Sequence, residues 1–423
     1  MKTRNRLYLI ILALFLLPFI CTTASADIAK GTETQITTNE LDQRFPAIYG
    51  DKIVWSEYIP AIEEIYTSDI YIYDLSTSRE TRVTTDNEIQ EFPAIYGDKI
   101  VWQDWRKVGT TDLYMYNLST STETQITNDV EYQYSPAIYN DRIVWEDFQH
   151  SGNYDIYMSN ISTSKEVQIT TNKAHQFNPA IYGDRIVWTD FRNGNLDIYM
   201  YNLSTSTETQ ITTDEHEQSA PAIYGNRIVW QDLRNGNFDI YMYDLSTSKE
   251  TRITTNESAQ FAPAIYDNRI VWEDNRNGNS DIYMYDISAS RETQITDNGA
   301  DQRDPAIYGN RIVWTDSRNG NLDIYMFNLA PDVNLTPLDR TIDLKHYVEN
   351  SLSFNVWTKK TLIRPLDKSI DFLEKGKESK AVVSLKSFID IVEDLKKHKN
   401  ISASKADYLI KEARKIIAQI KTQ

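Results

Sequence analysis

Short apolar and aromatic segments alternate with polar turns along residues 29–329. In the copy that starts at Pro179, the segments read Pro-Ala-Ile-Tyr, Arg-Ile-Val-Trp, Asp-Ile-Tyr-Met-Tyr and Glu-Thr-Gln-Ile-Thr. Their content of β-branched and aromatic residues predicts four short strands. Gly183-Asp184 and Asn193-Gly194 lie between the segments and supply the positive φ that tight hairpins require. Each repeat therefore predicts a four-stranded antiparallel sheet.

This unit recurs seven times. The Pro-Ala-Ile-Tyr motif begins at Pro46, Pro93, Pro136, Pro179, Pro221, Pro263 and Pro305. A period close to 42 residues is typical of one blade of a β-propeller. The second segment has apolar residues on both faces, as expected for sheets that stack against neighbouring sheets.

The first and last repeats are offset by one strand. The fourth-strand motif occurs at residues 33–37, before any first strand, and the last repeat stops after its third strand at residues 323–327. An N-terminal strand that completes the seventh blade would close the ring and remove the open edges. The alternative, an open solenoid, leaves the offset unexplained. The prediction is an all-β seven-bladed propeller.

Residues 1–26 have the pattern of a secretory signal peptide. Three basic residues precede an apolar run at residues 7–20, and Ala24-Ser25-Ala26 offers a cleavage site. The alternatives are an uncleaved anchor, for which the run falls short of about 20 residues, and lipidation at Cys21, which Pro18-Phe19-Ile20 disfavours. No later stretch is long and apolar enough to cross a bilayer, so the mature chain is expected to have no transmembrane segment.

After Pro337 the apolar residues recur at helical spacing, which predicts a small all-α bundle of three or four helices. The stripes are Leu362, Leu366, Ile370 and Leu373, ended by Gly376; then Ala381, Leu385, Phe388 and Val392; then Ala406, Leu409, Ile410, Ala413 and Ile417, with Ser402 and Ser404 as candidate caps. The predicted domains are a signal peptide at 1–26, a propeller at 27–337 and a helical domain at 338–423.

The repeats resemble TolB-type propellers, and most closely the repeated propeller modules of archaeal cell-surface proteins. The C-terminal segment resembles the FIMAH domain through Leu366-Asp367, Leu373-Glu374-Lys375-Gly376, Ala381, Leu385, Phe388-Ile389, Val392, Ile401-Ser402 and Ala406-Asp407 with Leu409-Ile410. The resemblance implies a binding or scaffolding platform. A few relatives are polysaccharide lyases or peptidase accessory domains, so it does not imply one reaction.

Charge is unevenly distributed. The formal net charge is −17, and residues 338–423 carry 18 basic against 12 acidic residues, so the propeller is strongly acidic. This disfavours a nucleic-acid partner. Cys21 is the single cysteine, so the mature chain is expected to lack disulfides.

No enzyme motif is present: there is no His-Glu-x-x-His, no Gly-x-Ser-x-Gly and no phosphate-binding loop. The acid two residues after each repeat tryptophan is interpreted as architectural. No cofactor is expected. The alternatives are Ca²⁺ at the hairpin of residues 190–197, a metal at His175 and His216 as in propeller-based oligogalacturonate lyases, and a carboxylate pair.

The loop before each first strand, here called the mouth loop, is the candidate binding site, because in related propellers it opens at one end of the central channel. Seven glutamines stand three residues before the repeat proline: Gln43, Gln90, Gln133, Gln176, Gln218, Gln260 and Gln302. The next residues vary: Arg44, Glu91, Tyr134, Phe177, Ser219, Phe261 and Arg303, followed by Phe45, Phe92, Ser135, Asn178, Ala220, Ala262 and Asp304. Such divergence within a copied scaffold is typical of a binding face.

Two interpretations of these loops stay open. In one, the amides form a ring at the channel mouth; in the other, they bond the backbone of the neighbouring blade. The leading functional hypothesis is a secreted or cell-surface, non-catalytic binding or scaffold protein for protein or carbohydrate ligands. The alternative is a secreted polysaccharide-active lyase or hydrolase. The ligand and the oligomeric state are not set by the sequence.

Overall fold

A computed structural model describes residues 27–60, 66–107, 109–128, 130–148, 152–330, 337–350 and 354–422. The predicted signal peptide at residues 1–26, with its anchor and lipidation alternatives, lies outside the described residues. Within them the chain forms an all-β propeller followed by four helices, which confirms the predicted fold.

The propeller has seven sheets arranged as blades. Blade 1 is β3 (Asp42–Tyr49), β4 (Lys52–Pro60), β5 (Tyr66–Asp74) and β6 (Arg79–Arg82); blade 2 is β7 (Gln90–Tyr96), β8 (Lys99–Asp104), β9 (Asp112–Asn117) and β10 (Thr122–Gln125); blade 3 is β11 (Tyr132–Tyr139), β12 (Arg142–Phe148), β13 (Tyr154–Asn160) and β14 (Lys165–Gln168). Blade 4 is β15 (Gln176–Tyr182), β16 (Arg185–Asp190), β17 (Asp197–Asn202) and β18 (Thr207–Gln210); blade 5 is β19 (Gln218–Tyr224), β20 (Arg227–Asp232), β21 (Asp239–Asp244) and β22 (Lys249–Arg252). Blade 6 is β23 (Gln260–Tyr266), β24 (Arg269–Asp274), β25 (Asp281–Asp286) and β26 (Arg291–Gln294); blade 7 is β27 (Gln302–Tyr308), β28 (Arg311–Asp316) and β29 (Asp323–Leu329).

The N-terminal strand closes the ring, as the strand offset predicts. Strand β2 (Gly31–Gln35) pairs antiparallel with β29, from Gly31 opposite Leu329 to Gln35 opposite Tyr325. Glu33 also accepts a 2.5 Å ion-paired hydrogen bond from Arg318 in blade 7. The shorter β1 (Asp27–Ile28) lies parallel to β26 of blade 6. The N-terminal segment therefore ties the last two blades to the first.

Tryptophans fill the gaps between blades. All seven repeat tryptophans are fully buried, and Trp230 of blade 5 packs with Val187 and Ile198 of blade 4. In six blades the indole nitrogen donates to the acid two residues later, as from Trp188 to Asp190 at 2.9 Å. The architectural interpretation of the Trp-x-acid pattern is confirmed, because the acid satisfies the only polar atom of the buried ring.

Seven tyrosines end the first strands and form a closed circle around the axis. Adjacent rings have centroids 4.7 to 4.9 Å apart, and the members are Tyr49, Tyr96, Tyr139, Tyr182, Tyr224, Tyr266 and Tyr308. Burial raises the pKa of Tyr49 and Tyr224 far above the ordinary value, so the phenols stay neutral. The circle fixes one end of every first strand, and the mouth loops lie at the other end.

The C-terminal segment forms the predicted helices. They are α1 (Pro337–Asn350), α2 (Val356–Glu374), α3 (Glu378–Lys397) and α4 (Ala403–Thr422). Leu362, Leu385, Phe388 and Leu409 share one buried core, and Gly376 has the positive φ of 62° that ends α2. No helix among the described residues has both the length and the apolar character needed to cross a bilayer.

We expect deletion of residues 27–35 to lower the stability of the whole propeller. Blade 7 then loses its outer strand and the ion pair that this strand makes through Glu33. Deletion of residues 27–28 alone is the control, since it removes only the two paired residues of β1. Thermal unfolding should show a fall in Tm of several degrees or more for the longer deletion only. Equal unfolding temperatures for the two variants would contradict closure by β2.

Candidate functional site

Each first strand begins with a strained bulge. The pairing of first and second strands shifts between the residue after the glutamine and the repeat alanine, as between Phe177 and Ala180. The residue just before each proline has positive φ, from 46° to 56°, although none is glycine: Phe45, Phe92, Ser135, Asn178, Ala220, Ala262 and Asp304. This conformation costs roughly 1–2 kcal/mol for an L-residue. These are the second set of variable positions predicted from the sequence.

Neighbouring blades hold these bulges in place. Glu146 of blade 3 accepts a 2.7 Å hydrogen bond from the Asn178 amide of blade 4, and Glu273 of blade 6 accepts one of 2.8 Å from Asp304. Glutamine does the same in two other blades, where the side-chain oxygens of Gln103 and Gln231 accept from the backbone amides of Ser135 and Ala262. A carboxylate is therefore not needed for the structural contact, because the amide oxygen of glutamine serves as well.

The seven mouth-loop glutamines are fully buried. Their amide nitrogens donate to the carbonyl oxygen two residues earlier, as from Gln176 to Ala174 and from Gln302 to Ala300, both at 2.7 Å. The acceptor lies in the same loop. It does not lie on the neighbouring blade, where the second interpretation had placed it. These amides brace the loop, and the variable residues after them are the ones available to a ligand. Ligand binding by the glutamines stays a prediction.

An aromatic pocket opens over blades 2, 3 and 4. It has a volume of about 460 Å³, and its aromatic lining is Phe92, Trp105, Tyr134, Tyr154 and Phe177. The Tyr134 ring lies 6.2 Å from Trp105 and 6.3 Å from Tyr154. Phe92 is 38% exposed and stacks on Phe45 at 4.1 Å. The pocket thus presents several ring surfaces at one point of the channel mouth.

Two acids complete the pocket. Glu91 accepts hydrogen bonds from the Tyr58 hydroxyl at 2.7 Å and from the Gln103 amide at 2.9 Å. Glu146 is only 8% exposed, and its burial raises the pKa of the carboxyl, although the bond from the Asn178 amide lowers it in part. Among the described residues that line the pocket, none is lysine or arginine.

The other predicted residues lie elsewhere around the mouth. Arg44 pairs with Asp42 and Arg303 with Asp301, each at 2.8 Å within its own loop. Phe261 packs on Phe238 with ring centroids 5.5 Å apart. Of the variable positions found in the sequence, the structure brings six together in the pocket: Glu91, Phe92, Tyr134, Ser135, Phe177 and Asn178.

Four pocket residues were missed from the sequence: Gln103, Trp105, Glu146 and Tyr154. Trp105 and Tyr154 flank the second hairpins of blades 2 and 3, which lose the Asn-Gly turn of blades 4 to 7. Glu146 directly follows the repeat tryptophan Trp145, a position that varies between blades. The loss of the hairpin motif was therefore the available signal.

The hairpin considered for Ca²⁺ has its acids occupied. Asp190 accepts bonds from Trp188 and, at 2.6 to 2.9 Å, from Arg192, while Asp197 accepts from Asn193 at 2.8 Å. These partners lie in the same hairpin as the acids, and Ca²⁺ binding stays a prediction.

The two histidines considered as metal ligands have local partners. His175 accepts a 3.3 Å bond from the Tyr154 amide, and His216 lies 2.8 Å from Asp214. No group of three or more metal-ligating side chains occurs within the described residues.

Comparison with known families matches both parts of the chain. Residues 149–336 match the TolB beta propeller domain, and residues 347–418 match the FIMAH domain. The chain is a TolB-like β-propeller with a C-terminal FIMAH domain. No curated protein matches it.

Solved structures with the same propeller fold serve different functions. An oligogalacturonate lyase in complex with manganese is 13% identical, with a TM-score of 0.57 over 73% of this chain and 96% of the lyase. The propeller domain of the Trilobed protease from Pyrococcus furiosus, described as an open velcro topology, is 13% identical, with a TM-score of 0.55 over 70% of this chain and 98% of that domain. At these identities the similarity shows the fold alone, and the TolB-like propeller described here is closed by β2.

Relief of bulge strain is testable at Ala220, whose φ is 51°. We expect Ala220→Gly to raise the free energy of unfolding by about 1 kcal/mol, because glycine adopts positive φ without a Cβ clash. The control is Ala222→Gly in the regular part of the same strand, opposite Val229, where glycine should lower stability by about 0.5–1 kcal/mol. Denaturant titration measures both, and the same loss of stability at both positions would argue against strain.

Proposed function

We propose that the TolB-like propeller is a non-catalytic binding platform whose ligand docks at the aromatic pocket formed by Phe92, Trp105, Tyr134, Tyr154 and Phe177. The observation that carries the proposal is the placement of these rings. They come from three blades, yet they meet in one open pocket of about 460 Å³. Aromatic surfaces of this kind contribute much of the affinity at binding sites for sugars and peptides.

The rigidity of the mouth loops supports binding over a purely structural role. Buried glutamines brace each loop, and contacts between blades hold the bulges that carry the variable residues. A site on such a scaffold loses little conformational entropy when a ligand binds. All seven repeats have these glutamine braces, whereas the five rings of the pocket come from blades 2 to 4, with Phe92 exposed and the other four partly buried.

The protein is proposed to act outside the cell or at its surface. The support is the signal-peptide pattern of residues 1–26 and the acidic character of the propeller. The basic FIMAH domain is proposed to contact another component of the cell envelope, because its charge is opposite to that of the propeller.

A binding panel tests the platform. Residues 27–423 would be screened against neutral glycans, acidic glycans and peptides of each charge, with mass spectrometry for bound ligand and for released products. We expect retention without products. New oligosaccharides or peptides would contradict the non-catalytic proposal. New oligosaccharides would favour the polysaccharide-active alternative, with the carboxyl of Glu146 as the first group to replace.

Pocket variants locate the binding site. For any ligand that the panel retains, Tyr134→Ala with Phe177→Ala should weaken binding by at least roughly tenfold, because two ring surfaces are lost. Phe261→Ala removes a mouth-loop ring outside the pocket and is the matched comparison. Circular dichroism should show all variants folded. Weakening by Phe261→Ala alone would move the site to blade 6.

A further inference from the structure

The charge of the pocket narrows the class of ligand. Glu91 and Glu146 are its acidic lining residues, and no lysine or arginine is among the described side chains that line the pocket. Their hydrogen-bond partners there are neutral: the Tyr58 hydroxyl and the Gln103 amide for Glu91, and the Asn178 backbone amide and the Ser135 hydroxyl for Glu146. The two acids are thus held by hydrogen bonds but not neutralised by a basic partner in the pocket.

The aromatic rings, like the two carboxylates, favour a positively charged ligand. Phenylalanine, tyrosine and tryptophan present a negative face, and a cation placed within about 6 Å of such a face is attracted to it. The chain already uses this contact in six blades, for example where the Arg192 guanidinium lies 4.2 Å from the Tyr199 ring. Among the described residues no arginine or lysine lies over Trp105, Tyr134 or Tyr154. One face of Tyr134 is stacked on Tyr132, and the sides of these rings that line the pocket are available to a cation from a ligand.

The mouth at the junction of blades 7 and 1 differs in charge. There burial raises the pKa of the Asp304 carboxyl, and the nearby Arg303 and Arg44 oppose that rise. The Arg44 guanidinium also lies 5.0 Å from the ring of Tyr58, whose hydroxyl donates to Glu91. Asp304 therefore has basic neighbours, whereas the pocket acids Glu91 and Glu146 have no lysine or arginine beside them in the pocket lining. This asymmetry arises in a ring whose blades are otherwise close copies.

We propose that the pocket over blades 2 to 4 binds the lysine ammonium groups of a basic peptide segment of a partner protein, between the aromatic rings and the Glu91 and Glu146 carboxylates. The inference rests on the proposed function of this pocket and adds the class of ligand. The propeller carries a large excess of acidic residues, which would attract such a segment from a distance. Acidic glycans, by contrast, would meet two like charges at the site.

The structure offers a charge-removing pair that keeps the fold. In Glu146→Gln the amide oxygen can still accept the Asn178 N–H, because Gln103 and Gln231 make the same bond in other blades. Glu91→Gln keeps an oxygen for the Tyr58 hydroxyl. The matched control is Glu88→Gln with Glu273→Gln: it removes the same number of acids, one from the exposed surface of a mouth loop and one from the position equivalent to Glu146 in blade 6.

The experiment is calorimetric titration of residues 27–423 with an acetylated and amidated alternating lysine-alanine peptide. The probes for comparison are its glutamine-alanine analogue and a neutral cello-oligosaccharide. We expect the lysine peptide to bind, the glutamine analogue to bind at least roughly tenfold more weakly, and Glu91→Gln with Glu146→Gln to cause a loss of similar size. The control pair should leave the affinity within about twofold, apart from weak screening effects.

The outcomes separate this inference from the proposed function. Equal losses in the two double variants would show attraction to the acidic propeller as a whole and would overturn the cation site. Binding of the neutral sugar that Tyr134→Ala abolishes, with no binding of the lysine peptide, would overturn the cation inference and leave the binding platform standing. Binding of the lysine peptide that is unchanged by Tyr134→Ala and Phe177→Ala would overturn both for this pocket.

Discussion

The propeller depends on one backbone pairing, that of β2 with β29, which supplies the last blade with a strand from the first part of the chain. Because the seven sheets are close copies, each interface repeats the same buried tryptophan and the same tyrosine contact. The tyrosine circle is complete only when the first and seventh blades meet, as the 4.8 Å contact between Tyr49 and Tyr308 shows. Closure therefore sets the position of every first strand and of the mouth loop in front of it.

The closed ring holds the strained bulges of the mouth loops in fixed positions. Each mouth loop places its variable residues on a bulge with positive φ, and a neighbouring blade caps four of these bulges through Gln103, Glu146, Gln231 or Glu273. Strain of this kind persists only where surrounding contacts enforce it. Its consequence is a set of side chains whose direction is fixed while their identity is free to vary. Blades 2 to 4 use that freedom to form the aromatic pocket.

The sequence predicted the features that repeat and missed those that depend on distance between blades. The period, the strand offset and the helical stripes around Leu385 are local patterns, and each was confirmed in the structure. The pocket was predicted in part, through the variable positions Glu91, Phe92, Tyr134, Ser135, Phe177 and Asn178. Glu146 reaches it because its neighbour Trp145 fixes the strand and the next blade presents the Asn178 amide. The spacing of residues along the chain does not reveal such a contact between blades. The burial of the glutamines could not be predicted for the same reason.

The central claim is that the mouth of blades 2 to 4 is the functional face of the protein. Amide hydrogen exchange of residues 27–423, measured with and without a retained ligand, tests it most directly because it reports every loop at once. The account predicts slower exchange in the mouth loops that lead into β7, β11 and β15 and in the hairpin after β8, with the tyrosine end of the channel unchanged. Protection confined to the outer strands, to the tyrosine end or to the FIMAH helices would contradict it.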